Sequence, residues 1–181
     1  YNVTVQSATS IRLNTPAING DANRAIAGNL TITNTSSLLL STTAANTLTV
    51  AGNLQLDGTL TLPTVAGGDL RIGGNWNRSS TGVFTPNDRA VFFIGSGNST
   101  ITANNGQLFP YLYLTKNALG NTVSLVDSIS ISKEFGITTG TFELNNKNAT
   151  LLSDAIGTAS FGKVGASGDV TYSSTGRFVV E

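Results

Sequence analysis

The sequence predicts an all-β chain wound as a parallel β-helix, a β-solenoid of roughly eight coils, with β-sandwich modules as the alternative. Three observations lead there. Short apolar/polar alternations recur along the chain, separated by Gly, Asn, Asp and Ser. No stretch keeps the helical apolar period for three turns. A turn-and-strand unit recurs at spacings of 24 and 22 residues, and one coil of two or three short strands takes roughly 20 to 25. Strands every 8 to 12 residues or so would also suit a sandwich.

The elements follow in order. Leu30-Thr31-Ile32 comes after the Gly28-Asn29 turn, Leu48-Thr49-Val50 stands alone, and Leu54-Gln55-Leu56 follows Gly52-Asn53. Leu60-Thr61-Leu62 comes next, then Leu70-Arg71-Ile72 after Gly68-Asp69, and Trp76 after Gly74-Asn75. Each alternating triplet puts two apolar side chains on one face and a polar one opposite. Leu30, Ile32, Leu54, Leu56, Leu70 and Ile72 are therefore expected to share one interior, with neighbouring coils paired in parallel. Ala90 to Ile94 is a continuous apolar run, so at least one of Phe92 and Phe93 belongs to the core. Leu112-Tyr113-Leu114, Val123 to Val126, Ile129-Ser130-Ile131 and Phe142-Glu143-Leu144 complete the strands, and Pro110 suggests an exposed turn before Tyr111. Residues 1–181 read as a single solenoid segment of a longer repeat protein, with a sub-boundary near 85–90.

Composition removes several function classes. Lys plus Arg and Asp plus Glu stand at 10 each, so no basic field exists for a phosphate backbone and nucleic acid is not an expected partner. No apolar run approaches the length of about 18 residues that a membrane-spanning helix needs, so no membrane insertion is expected. The chain has no Cys, which excludes disulfides and thiolate metal sites, and no His, the commonest metal ligand and general base. No cofactor or metal is expected. The polar surface is instead hydroxyl and amide, from 26 Thr, 18 Ser and 19 Asn. The absence of Met at position 1 reads as a piece of something longer or a processed product.

Four constellations touch on chemistry. Ser130-Ile131-Ser132-Lys133 has the S-x-x-K spacing of serine acyl-enzymes, but that spacing works on a helix, and here it falls on a strand that would turn Lys133 away from the serines. Asp57, Asp69, Asp88, Asp127, Asp154 and Asp169 are scattered beside turn residues, with neither the pairing expected of a glycosidase nor a calcium motif. Catalytic residues are accordingly none. The T-x-T triplets at Thr31/Thr33, Thr47/Thr49, Thr59/Thr61, Thr100/Thr102 and Thr139/Thr141 are too irregular for an ice-binding lattice. Trp76, Phe84, Phe92, Phe93, Phe109, Tyr111 and Tyr113 form an aromatic group in which Tyr111 and Tyr113 are the candidates for stacking on a ligand.

The run Gly73-Gly74-Asn75-Trp76-Asn77, with Gly82-Val83-Phe84-Thr85-Pro86, Arg89 to Gly95 and Ser99-Thr100-Ile101, resembles a repeat unit of giant secreted proteins of Bacteroidetes, among them gliding-motility adhesins exported by type IX secretion. The resemblance continues through Phe109 to Leu114, Thr139 to Leu144 and Ala159 to Val164, covering roughly residues 50 to 181. It implies a non-enzymatic structural and adhesive stalk segment, extracellular and at the cell surface, within a longer parent that carries the sorting domain. Its implied partners are flanking repeats or other copies, and surface polysaccharide. A carbohydrate-active or carbohydrate-binding β-helix is the alternative. Asp127-Ser128-Ile129 fits the short O-glycosylation sequon that the resemblance implies, which makes Ser128 the candidate glycan carrier on the polar face of its strand.

Overall fold

The computed structural model describes residues 1–13, 23–40, 45, 47–104 and 106–152 in full, and the backbone of three strands between 160 and 180. The chain is all β and winds as a parallel solenoid of about six turns, close to the roughly eight expected. The first turn holds β1 (Val3–Val5), β2 (Ser10–Leu13) and β3 (Arg24–Ile26), and the second β4 (Leu30–Ile32), β5 (Ser37–Leu40) and β6 (Leu48–Val50). The third holds β7 (Leu54–Leu56), β8 (Thr59–Thr61) and β9 (Leu70–Ile72), and the fourth β10 (Trp76–Arg78), β11 (Val83–Thr85) and β12 (Ala90–Gly95). From there strands merge around the corners: β13 (Ser99–Thr102) is followed by β14 (Gln107–Lys116), then β15 (Thr122–Leu125) by β16 (Ile129–Glu143). The ladder continues in β17 (Asn148–Leu151), β18 (Ser160–Phe161), β19 (Ser167–Thr171) and β20 (Arg177–Val180).

Corresponding strands of successive turns pair in parallel and form three faces. The first face runs β1, β4, β7, β10, β13, β15, the second β2, β5, β8, β11, and the third β3, β6, β9, β12. On the third face β12 is followed by the second half of β14 and the middle of β16. The registers confirm both spacings read from the sequence, because Leu30 pairs with Leu54 and Leu48 with Leu70. One part of the repeat is corrected. Gly28-Asn29, Gly52-Asn53 and Gly74-Asn75 precede the first face, whereas Gly68-Asp69 precedes the third. The two kinds of unit still point their apolar pairs into a single interior: Leu30, Ile32, Leu54, Leu56, Leu70 and Ile72 are all fully buried.

The Gly-Asn turns have a common mechanism. The Asn29 N–H donates to Asn2 Oδ1, the Asn53 N–H to Asn29 Oδ1 and the Asn75 N–H to Asn53 Oδ1, each at 2.8 Å. Thr100 N donates in the same way to Asn75 Oδ1 at 2.9 Å, and Thr122 N to Asn98 Oδ1 at 3.0 Å. Each asparagine thus satisfies a backbone donor at a corner where strand pairing has not begun. Glycine precedes because the asparagine of the turn below lies across that spot: a Cβ on Gly52 would stand 2.3 Å from Asn29 Oδ1, and one on Gly74 2.3 Å from Asn53 Oδ1.

Inside, aliphatic columns give way to aromatic ones. Trp76 continues the column of Leu30 and Leu54 and is fully buried, edge-on to Phe84 (4.8 Å between centroids) and Phe109 (5.1 Å). Arg78 stands in the column of Ile32 and Leu56, an unusual place for a cation. Its guanidinium donates to the carbonyls of Gly82 (3.0 Å), Ala103 and Asn104 (3.3 Å). These bonds tie the fourth turn to the fifth where β11, an edge strand of its sheet, pairs with no later strand among those described.

Candidate functional site

The third face carries an outward column that its registers assemble from large aromatics. Arg71, Phe92, Tyr113 and Gly136 occupy equivalent positions in four successive turns. Strand spacing of about 4.8 Å falls in the range of centroid separations of offset-stacked rings, and Phe92 and Tyr113 stack with centroids 4.9 Å apart and planes 19° apart. The Arg71 guanidinium covers the other side of Phe92, 4.9 Å from its centroid. Tyr113 leans over Gly136, where a Cβ would come within 2.7 Å of its Cδ1, so glycine makes room for the ring.

A second outward column lies beside the first: Ala90 pairs with Tyr111, and Tyr111 with Glu134. Tyr111 is nearly parallel to Tyr113, with planes 12° apart and centroids 6.5 Å apart. Lys133, from the turn beyond, places its Nζ 5.7 Å from the Tyr111 centroid and 3.1 Å from Asp88 Oδ2. In the preceding turn the register partner of Tyr111 is Ala90, which carries no ring. The result is an open groove of about 470 Å³ bordered by Asp69, Asp88, Arg89, Phe92, Tyr111 and Tyr113.

The chain builds this groove where the corner between the second and third faces shortens. In the third turn residues 62–69 bridge that corner, in the fourth only 86–89, and in the fifth β14 passes through it without a break. The last loops end in Asp69 and in Asn87-Asp88-Arg89, with Asn87 and Asp88 in the left-handed region at φ 49° and 58°. They stand beside a flat surface from which no loop rises.

Titration behaviour follows from the packing. Burial pushes the Tyr113 phenol up to about 12, helped by its hydrogen bond to Glu134 and that carboxylate's negative charge. Lys116 is the other perturbed group. It is 3% exposed, its Nζ donates to Ile94 O (2.8 Å) and Ser99 Oγ (3.0 Å), and burial holds it below the ordinary lysine range. No carboxylate pairs with it among the described residues.

The residues singled out in the sequence divide clearly. Tyr111 and Tyr113 come together as a half-buried outward pair, and of the adjoining phenylalanines Phe93 is in the core while Phe92 joins the outward stack. Trp76, Phe84 and Phe109 pack together in the interior, away from this surface. Pro110 is not an exposed turn. It is buried within β14 at the corner, beside a register shift between Phe109 and Tyr111. That shift also breaks the alternation in β16, so Ser132, Lys133 and Glu134 are all half-buried, and Lys133 engages Asp88. The threonine triplets spread over the faces: Thr31 and Thr100 lie on the first, Thr59 and Thr61 on the second, Thr49 on the third.

Most aspartates have local structural partners. Asp57 accepts from Gln55 Nε2 (2.7 Å), Asp69 from Ala90 N (3.0 Å), and Asp127 from Ala103 N and Asn104 N (2.9 Å each). Asp154 and the Asp169 side chain lie outside the described residues. Ser128 is exposed, and its Oγ accepts the Asn148 N–H at 3.0 Å. Among the described residues no group of His, Cys, Asp or Glu could hold a metal ion, and no helix is long and apolar enough to cross a membrane.

Sequence reading missed Arg71, Phe92, Ala90, Asp88, Arg89 and Lys133 as parts of one surface. A signal was present. Arg71, Phe92 and Tyr113 are spaced by 21 residues, as are Ala90 and Tyr111, one turn in each case. Compared with family models, with curated proteins and with solved structures, the chain matches none of them.

Proposed function

We propose that the chain is a structural and adhesive segment of a bacterial cell-surface or secreted protein, a rod that holds one binding face outward. The observation that carries this reading is the Arg71, Phe92, Tyr113 stack with Tyr111 beside it, placed on a surface otherwise rich in hydroxyls and amides. A rod of parallel coils supports it, because each turn pairs its strands with the turns next to it and the length can be set by repetition. The resemblance to adhesin repeats adds the extracellular setting and a longer parent. Flanking repeats or other copies are the natural partners of the first turn, where Val3, Val5, Ile11, Leu13, Ile26 and Leu48 line an apolar cleft of about 320 Å³. Ser128, exposed beside the Asp127 turn, is the position proposed for an O-linked glycan.

Beads coated with the chain are expected to stay on polysaccharide-coated surfaces under flow, and loss of retention to the level of uncoated beads would overturn the adhesive reading. Glycoside cleavage is the second reading, favoured by one observation: Asp69 and Asp88 line the same groove. Incubation with neutral and uronate polysaccharides is expected to release no new reducing ends. Their release would replace adhesion by catalysis.

A further inference from the structure

The groove above Ala90 has the outline of a missing ring. In the first outward column Phe92 lies flat on Tyr113, one turn along, with nearly parallel planes. Tyr111 is coplanar in direction with Tyr113, so a ring lying beside Phe92 in the same turn would stack on Tyr111 as Phe92 stacks on Tyr113. The chain offers Ala90 at that place, a buried methyl far smaller than a ring, on the floor of the groove that Tyr111 also lines. The Lys133 ammonium lies 5.7 Å from the Tyr111 centroid and reaches on to Asp88 Oδ2 at 3.1 Å.

Around this vacancy stand polar groups with capacity left. Arg89 uses its Nε on the Asn87 carbonyl (3.1 Å), and its terminal amino groups have no acceptor among the described residues. Asp88 is exposed, and its ion pair with Lys133 engages one carboxylate oxygen, leaving the other able to accept. Asp69 gives Oδ1 to the Ala90 N–H and borders the groove. The charges balance, because Arg71, Arg89 and Lys133 face Asp69, Asp88 and Glu134. A balanced rim favours neither an anionic nor a cationic polymer. It suits a ring with apolar C–H faces and hydroxyl edges, which can lie on an aromatic face and exchange hydrogen bonds with a carboxylate and a guanidinium.

We infer that this groove holds one ring of a neutral pyranose polysaccharide, seated on Tyr111 in the plane of Phe92, with Asp88 and Arg89 as its polar partners. The inference deepens the adhesive reading and rests on it. It is tested by electrophoresis of the full chain through gels containing soluble β-glucan, xylan, mannan or galactan, with polygalacturonate as the charged comparison. At least one neutral polymer is expected to retard the chain. Tyr111→Ala is expected to weaken that binding by about tenfold, while Tyr111→Phe stays close to the parent, since the ring face and not the hydroxyl makes the contact. Ala90→Leu, which fills the vacancy, is expected to weaken it as Tyr111→Ala does. Unchanged emission from buried Trp76 shows that each variant remains folded. The inference is overturned if none of the four neutral polymers retards the chain, if Tyr111→Ala binds like the parent, or if polygalacturonate binds more tightly. Beads that still adhere under flow while all gels show no retardation would remove the groove and leave the adhesive reading standing. Gel retardation without bead retention would do the reverse.

Discussion

Replacing Asn53 by Ala removes the acceptor of one backbone hydrogen bond and leaves the rest of its turn in place. Asn53 Oδ1 accepts the Asn75 N–H at 2.8 Å, and both residues are half-buried. Without it that donor, held at a corner beside the fourth turn, has no protein partner. An unsatisfied buried donor costs about 1–3 kcal/mol, and partial access of water to a half-buried site places the expected loss near the lower half, about 1–2 kcal/mol. Asn53→Asp keeps an acceptor oxygen at the same position, as Asp69 does natively for Ala90 N at 3.0 Å. It should lose less than half as much. The assay is urea unfolding followed by the fluorescence of Trp76, the single tryptophan, which follows Asn75 and is fully buried. Two results would refute the reasoning: Asn53→Ala within about 0.3 kcal/mol of the parent, or Asn53→Asp as destabilised as Asn53→Ala.

The other predictions concern titration. With its phenol at about 12 in the fold and 10.0 when unperturbed, Tyr113 keeps its proton longer folded than unfolded, so its contribution to stability is complete below pH 10 and falls as pH rises through about 12. Absorbance at 295 nm should show an ionisation step near pH 12 that Tyr113→Phe removes; removal of a step near pH 10 instead would contradict it. Lys116 has the opposite sign. Its folded pKa lies below the unperturbed 10.5, so the unfolded chain binds more protons between those values and stability rises with pH across that window. Urea midpoints of the parent minus those of Lys116→Met should therefore increase toward pH 10.5, and a decrease would show that the buried ammonium is stabilised by something other than its two hydrogen bonds.

Much of the fold was legible because the solenoid repeats its instructions. Leu30, Leu54 and Leu70 each follow a glycine and a side-chain amide or carboxylate, and alternation alone put them inside. Which face each strand joins was not legible, since Gly68-Asp69 and Gly52-Asn53 look alike locally, while Gly52 lies against Asn29 of the turn below and Gly68 against Pro63 of its own corner. The same limit hid Phe92, which reads as half of an apolar pair until its register with Arg71 and Tyr113 is known. The corner at Pro110 misled for a related reason. Proline signals a turn in isolated sequence, but here the turn is one the whole coil makes, inside a strand and against the core. Asp88 and Lys133 meet across two turns because a long side chain reaches past Tyr111, and no local pattern records that.

The asparagine ladder gives the rod a chemical polarity. In every rung among the described residues the side-chain oxygen belongs to the earlier turn and the backbone N–H to the later one, from Asn2 and Asn29 through to Asn98 and Thr122. A completed turn therefore presents a ready acceptor to whatever segment arrives next, while a segment added on the other side must bring its own. For a chain that emerges from its N-terminus first, each new coil meets a finished platform whose hydrogen-bonding groups already stand at the right height. Winding can then advance one coil at a time on the strand pairing between adjacent turns, without waiting for distant parts of the polypeptide.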